Sequence, residues 1–500
     1  MGKRYKISKY DRRSSSSSRN NSSSSSRRRK KTRTRSKTRR RKRGEAESDL
    51  GRAARLGALA RASRPLKPGP RRLILLSGDL CQVTYDAFND DRNSAYCGSC
   101  RYSKPSLLRR VAFVPPPSAP AAGLAVSAYL YATSQVSLPE GFLLFSKSRE
   151  VWSRESNWIG YVAVGDDVDG GRVIFAAWRG TIRTLEWADV LQPELVSIDD
   201  ILSSSPAGDD GELDKPKVMK GWHVIYTSSD PKSPFSKLSA RAQFLSAIRT
   251  LVARHAAESA GRGLSIVCTG HSLGAALATL SAFDVVENGI ARVGGRPVPV
   301  TAIVFGSPQL GNAALRKRLE SLPNLRVLHV KNKPDLIPLY PSGLLGYVDT
   351  GDLLVVNSRK SPYLKDSKNP GDYHNLQGIL HTVAGWSGEG GDFKPHVKRS
   401  VALVNKSSAY LKDEYLIPES WWAEKNKGMV LGDDGEWRLA LPAEEDLPVP
   451  PPDGMADMVS FDATSDKNVD GEAEEEFLSS LLLQSDRIEG QSQRCVMCNS

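Results

Sequence analysis

The 500-residue chain has no run of 18 apolar residues, so no segment reads as a transmembrane helix. It also lacks a 7 to 15-residue apolar stretch behind its charged start, so no secretory signal is expected. Cysteine is scarce. The six cysteines (Cys81, Cys97, Cys100, Cys268, Cys495, Cys498) fit a reducing compartment rather than a disulfide framework. Cys97 and Cys100 lie far from Cys495 and Cys498, so they read as two unrelated thiol pairs and not as a four-cysteine zinc site.

Acid is almost missing from residues 1–43, which hold 20 Lys/Arg against the single acid Asp11. Set against a whole-chain charge of +14, their +19 leaves −5 for the remainder, so the basic balance belongs to this stretch. Apolar side chains are too few there to offset the entropy of ordering, and a solvated tail is expected over residues 1–71. The same composition suits contact with anionic lipid or another polyanion, or nuclear import, and its Ser/Arg richness is similar to an organelle transit peptide. At the other end, Pro448 and Pro450 to Pro452 break the chain and acids gather at Glu472 and Glu474 to Glu476. Residues 441–500 are expected to be a flexible acidic tail.

Between the tails, strand-like and helix-like segments alternate. Candidate strands are Trp158–Val164, Val173–Trp178, Leu264–Thr269, Val298–Phe305 and Leu325–Lys331, each short, apolar and bounded by Gly, Pro or charge. Leu238, Leu245, Ile248, Val252 and His255 recur at helical spacing and predict a helix over 237–255; a second is expected over Ala313–Leu322. This alternation implies an α/β domain with a mainly parallel sheet over residues 72–440. Residues 190–217, rich in Asp, Ser, Pro and Gly, form a long interruption suited to a lid.

The most informative residues are Gly270-His271-Ser272-Leu273-Gly274, placed between the Leu264–Thr269 strand and a small-residue helix over Ala275–Val286. Glycine on either side of Ser272 permits the sharp strand-to-helix turn of a nucleophile elbow. Such a serine needs a base, a carboxylate to orient the base, and oxyanion donors, and on a sheet of this kind these follow in the order Ser, Asp, His. Asp335 fits, following the strand that ends near Lys331 in a loop stiffened by Pro334 and Pro338. Of the histidines after it, His374 follows the turn Pro370-Gly371-Asp372-Tyr373 at a loop-to-helix junction, while His381 falls seven residues later, on the same helical face two turns deeper, and reads more as a packed core histidine. Spacing leaves both open. The Leu273 amide supplies one oxyanion donor, and the turn after Trp178-Arg179-Gly180 offers Thr181 as the second.

Together, Trp178-Arg179-Gly180-Thr181, the elbow, Asp335 and the His374 segment resemble the class 3 lipases. Leu75 to Asp79, Thr84 to Asn89, Tyr96 to Tyr102, Trp152 to Val164, Val404 to Ser407, Trp421-Trp422 and Glu424 to Gly428 are similar to the plant phospholipase A1 family, cytosolic group. The resemblance spans about residues 72–440 and implies an α/β-hydrolase fold, with Ser272, Asp335 and His374 as the triad. It implies release of the sn-1 acyl chain from glycerophospholipids, with some relatives accepting galactolipids or neutral glycerides. The partner implied is phospholipid or galactolipid at a membrane surface, with no metal, cofactor or obligate protein partner. The location implied is cytoplasmic, a plastid being the alternative. A catalytically inert lipase-like interaction module stays open as a different class of function. Before Arg72 the chain departs from the family, whose tryptophan-containing helical lead-in is replaced here by basic low complexity.

Overall fold

In a computed structural model of the protein, the described residues are 66–115, 122–134, 156–166, 171–181, 193–203, 215–233, 235–258, 263–422 and 427–440. Residues 1–65 and 441–500, Cys495 and Cys498 among them, residues 152–155, half of the 190–217 segment and residues 424–426 lie outside them, whereas residues 68–71, expected in the N-terminal tail, belong to a helix in which Arg71 is buried.

In chain order, helix α1 spans Pro68–Asp86 and precedes strands β1 (Ala122–Ala132), β2 (Asn157–Asp166) and β3 (Arg172–Trp178). Helices α2 (Lys220–Thr227) and α3 (Ala240–Glu258) lead to β4 (Leu264–His271), α4 (Leu273–Glu287) and β5 (Val300–Phe305). Helix α5 (Ala313–Ser321), strands β6 (Leu325–Asn332) and β7 (Asp352–Val356), and helices α6 (Pro370–His374) and α7 (Leu376–Gly385) follow.

The seven strands form one sheet in chain order. β1, β2 and β3 pair antiparallel, and β3 through β7 run parallel. Fully buried strands read as continuous apolar runs, as β4 and β5 do, because both faces are covered. Their side chains divide with period two. Ile174, Ala176 and Trp178 pack with Trp222, Phe244, Leu280 and Leu315 of α2 to α5, whereas Val173, Phe175 and Ala177 pack with α1 and α7.

Two polar devices fix the layers. The Arg71 guanidinium, buried in α1, donates to the Trp386 carbonyl at 2.8 Å and to Val383 O, satisfying carbonyls at the end of α7. Gly78 lets α1 and α7 approach, since a Cβ there would meet Leu380 Cδ2 at 2.2 Å. On the opposite face Asp284 of α4 accepts from the Tyr226 hydroxyl of α2 at 2.9 Å and from the Arg241 guanidinium of α3 at 2.7 and 3.0 Å.

Several boundaries differ from the sequence reading, and one segment differs in kind. The helix expected from Lys237 begins at Ala240, and Leu238 is 57% exposed rather than part of its buried stripe. The strand expected from Val298 begins at Val300. Within the segment read as a lid, Leu195–Ser197 and Lys217–Met219 are strands of a small second sheet, and Ile198 and Ile201 sit in the core. Residues 190–192 and 204–214 of it lie outside the described ones.

Candidate active site

Parallel strands bring their carboxyl ends to one edge, where Trp178 pairs with Gly270 and His271 with Phe305. The loops leaving that edge carry Thr181, Ser272, Gly306 and Asp335. Ser272 stands between β4 and α4 at φ 57°, ψ −131°, a conformation that costs a non-glycine residue free energy and must be enforced by its surroundings. The enforcement is visible. The Ser272 amide donates to the Phe305 carbonyl at 3.0 Å, tying the turn to β5. A Cβ on Gly270 would lie 1.9 Å from the Gly274 carbonyl oxygen, and one on Gly274 would lie 2.3 Å from that of Trp178, so α4 starts directly against the end of β3. The Leu273 amide opens this helix, in the first turn where amides have no intrahelical acceptor.

His374 closes α6, and its Nδ1 lies 2.8 Å from Asp335 Oδ2 with both residues buried. Asp335 Oδ1 also accepts from the Ile337 amide at 3.0 Å, which fixes the carboxylate. With Nδ1 on the carboxylate, Nε2 is left to act, and neither His374 Nε2 nor Ser272 Oγ has a hydrogen-bond partner. Ser272, His374 and Thr181 line one cavity of about 710 Å³. The Thr181 hydroxyl is likewise buried without a partner.

His381 sits elsewhere. Its Nε2 lies 2.8 Å from Ser361 Oγ, its ring stacks on Phe393 at 4.9 Å, and burial with the nearby Arg399 charge pushes its pKa down to about 3. The idea that His374 and His381 share a helical face is corrected by the structure. Asn375 separates α6 from α7, its side chain accepting from the Gly378 amide at 2.8 Å and so starting a new helix.

Several residues at the site escaped the sequence reading. His271, read only as an elbow position, is buried and held neutral: burial first, and then the neighbouring His374, push its pKa well below 6.5. Its Nε2 lies 2.8 Å from the His374 carbonyl, which only accepts, so Nε2 carries the proton and Nδ1 accepts from the Tyr85 hydroxyl at 2.8 Å. Gly180 makes room for that hydroxyl, as a Cβ there would come within 2.1 Å of it. Gly306 underlies the histidine and carboxylate, and buried His329 accepts from the adjacent Ser307 amide at 2.9 Å. Arg179, also buried, donates to the Trp158 and Gly180 carbonyls and lies 3.9 Å above the Phe88 ring; desolvation lowers its pKa to about 10.

Comparison with known proteins identifies the family. Residues 175–344 match the lipase (class 3) family model. Phospholipase A1-II 5 of Oryza sativa subsp. indica is 63% identical over 393 residues, 77% of this chain and 82% of the relative. Phospholipase A1-IIdelta of Arabidopsis thaliana is 50% identical over 401 residues, covering 77% and 94%. The chain belongs to the plant phospholipase A1 family.

Among solved structures, the Rhizomucor miehei lipase propeptide complex matches with 14% identity and a TM-score of 0.34, covering 67% of this chain and 84% of that one. Lipase II from Rhizopus niveus matches with 15% identity and a TM-score of 0.32, covering 56% and 77%. This member of the plant phospholipase A1 family has the α/β-hydrolase fold expected of a class 3 lipase, with the mainly parallel sheet described above. Tyr85 lies 186 positions from His271, and neither residue carries a local signal of the pairing.

Proposed function

We propose that the protein is a serine-dependent phospholipase A1, releasing the sn-1 acyl chain of glycerophospholipids through Ser272, His374 and Asp335. The observation that carries the reading is the pair of unpartnered atoms, Ser272 Oγ and His374 Nε2, in one cavity, with His374 Nδ1 already held by Asp335. Membership of a family whose relatives are named phospholipase A1 supports the reaction class.

Ser272 Oγ attacks the ester carbonyl as His374 Nε2 takes its proton, and Asp335 stabilises the imidazolium that forms. The Leu273 amide and Thr181 receive the oxyanion. His374 then protonates the leaving lysolipid, and a water, deprotonated by the same nitrogen, hydrolyses the acyl-enzyme. The substrate is met at a membrane surface as a peripheral encounter, and the +19 stretch at residues 1–43 would add attraction to anionic lipid. The cytoplasm is the proposed location, testable by fluorescent-fusion imaging, where accumulation in plastids would overturn it.

Ser272→Ala tests the assignment. Ester turnover should fall by roughly 10⁶-fold, and a fluorophosphonate probe should label the wild-type protein at Ser272 and leave the variant unlabelled. Turnover retained by the variant, or label on another residue, would remove Ser272 from the role.

A further inference from the structure

The cavity that holds Ser272 has a second, polar wall which the acyl-transfer chemistry does not use. It includes Lys365, Asn369, Asp372, Asn375, Ser407 and Asp90. Tracing each group's partners shows what the wall offers to a ligand. Asn369 Oδ1 accepts from the Gly371 amide at 2.8 Å and Asn375 Oδ1 from the Gly378 amide at 2.8 Å, so both side chains keep their NH₂ groups to donate. The two carboxylates are engaged: Asp372 accepts from Ser367 Oγ at 2.6 Å and Asp90 pairs with Arg101 at 2.9 Å.

Lys365 is the only Lys or Arg among the described residues lining the cavity. Its backbone is fixed, the amide donating to the Tyr410 carbonyl at 3.0 Å beside a bridge between Leu364 and Leu411. Its ammonium meets Asp413 at 2.9 Å, but that carboxylate is 93% exposed, and exposed pairs contribute little and exchange readily. A wall with an exchangeable ammonium, two amide donors and a hydroxyl offers convergent donors to an anion, the Lys365 charge also offsetting that of the nearby Asp372.

We infer that Lys365, assisted by Asn369, Asn375 and Ser407, forms a subsite for the phosphodiester of the substrate's head group and sets a preference for phospholipid over lipid without phosphate. This rests on the phospholipase reading above. Binding exchanges the exposed Asp413 contact for the phosphate.

The test uses the full-length protein in detergent mixed micelles and compares kcat/KM for phosphatidylcholine and for diacylglycerol carrying the same acyl chains. Lys365→Met should lower the phosphatidylcholine to diacylglycerol ratio about tenfold, mainly through KM, and Lys365→Arg should restore most of it. Asp413→Ala, which removes the pairing carboxylate and keeps the ammonium, should not lower the ratio. An unchanged ratio in Lys365→Met, an equal loss on both substrates, or a matching drop in Asp413→Ala overturns the subsite while leaving the phospholipase reading in place. Wild-type protein that cleaves diacylglycerol and not phosphatidylcholine overturns the phospholipase reading and the subsite with it.

Discussion

His271 donates its Nε2 proton to the main-chain carbonyl of His374 at 2.8 Å, so the residue before Ser272 holds the backbone of His374. Their rings lie 4.5 Å apart. The Tyr85 hydroxyl, donating to Nδ1, selects the tautomer that makes this contact possible. His271→Ala would leave the buried His374 carbonyl without its donor and the Tyr85 hydroxyl with only the main-chain carbonyl of residue 271, 3.5 Å away. It should cost about 1 to 3 kcal/mol of stability and slow turnover more than Tyr85→Phe does. Urea denaturation alongside kcat on a soluble ester measures both; equal kcat in the two variants would argue against positioning by His271.

A second expectation concerns pH and stability. His271 and His329 have pKa values held well below 6.5, and His381 is held at about 3, in each case chiefly by burial. The unfolded chain protonates these groups as pH falls through about 6.5, while the folded chain leaves them neutral until their lower pKa is reached. The unfolded state therefore binds more protons, and folding stability present above pH 6.5 declines as pH is lowered, by about 1.4 kcal/mol per pH unit for each histidine once well below that value. Denaturation between pH 7 and pH 5 checks the sign. His381→Gln should flatten the slope; an unchanged slope would exclude His381 as a contributor.

Gly306 is under tighter constraint than its place after β5 reveals. At φ +51°, an added Cβ would lie 2.9 Å from His374 Cε1, 3.0 Å from Nδ1 and 3.1 Å from Asp335 Oδ2. Gly306→Ala should displace the imidazole from its carboxylate and lower kcat by about 100-fold, because small misplacements of reacting groups carry large kinetic losses. Circular dichroism separates this from unfolding, and activity within twofold of wild type would show that the pair absorbs the methyl group without consequence.

Thr181 bears on the oxyanion. Its hydroxyl is buried, unpartnered and within the Ser272 cavity. Thr181→Val keeps the amide and the shape and removes the hydroxyl, so a fall in kcat of about 10² to 10³ with little change in KM is expected if the hydroxyl receives developing charge. An unchanged kcat would leave that task to the amides alone.

Much of this was legible in the sequence, for reasons that particular residues make plain. β3, β4, β5 and β6 are buried on both faces and read as apolar runs, and the glycines around Ser272 mark the turn whose backbone no bulkier neighbours permit. Helix α1 carries the opposite lesson. It is buried almost all round, so Leu73, Ile74, Leu75 and Leu76 present no contrast at helical period. β1 is rich in Ala, Gly and Ser, poor strand formers that pairing with β2 overrides. The helix break at Asn375, which separates His374 from His381, is a capping effect that spacing does not encode.

The central claim is best tested by giving the purified protein phosphatidylcholine with different acyl chains at its two glycerol positions and identifying the released fatty acid by mass spectrometry. Release of the sn-1 chain, absent in Ser272→Ala, is the result this account predicts. Release of the sn-2 chain in equal amount, or of neither chain, would contradict it.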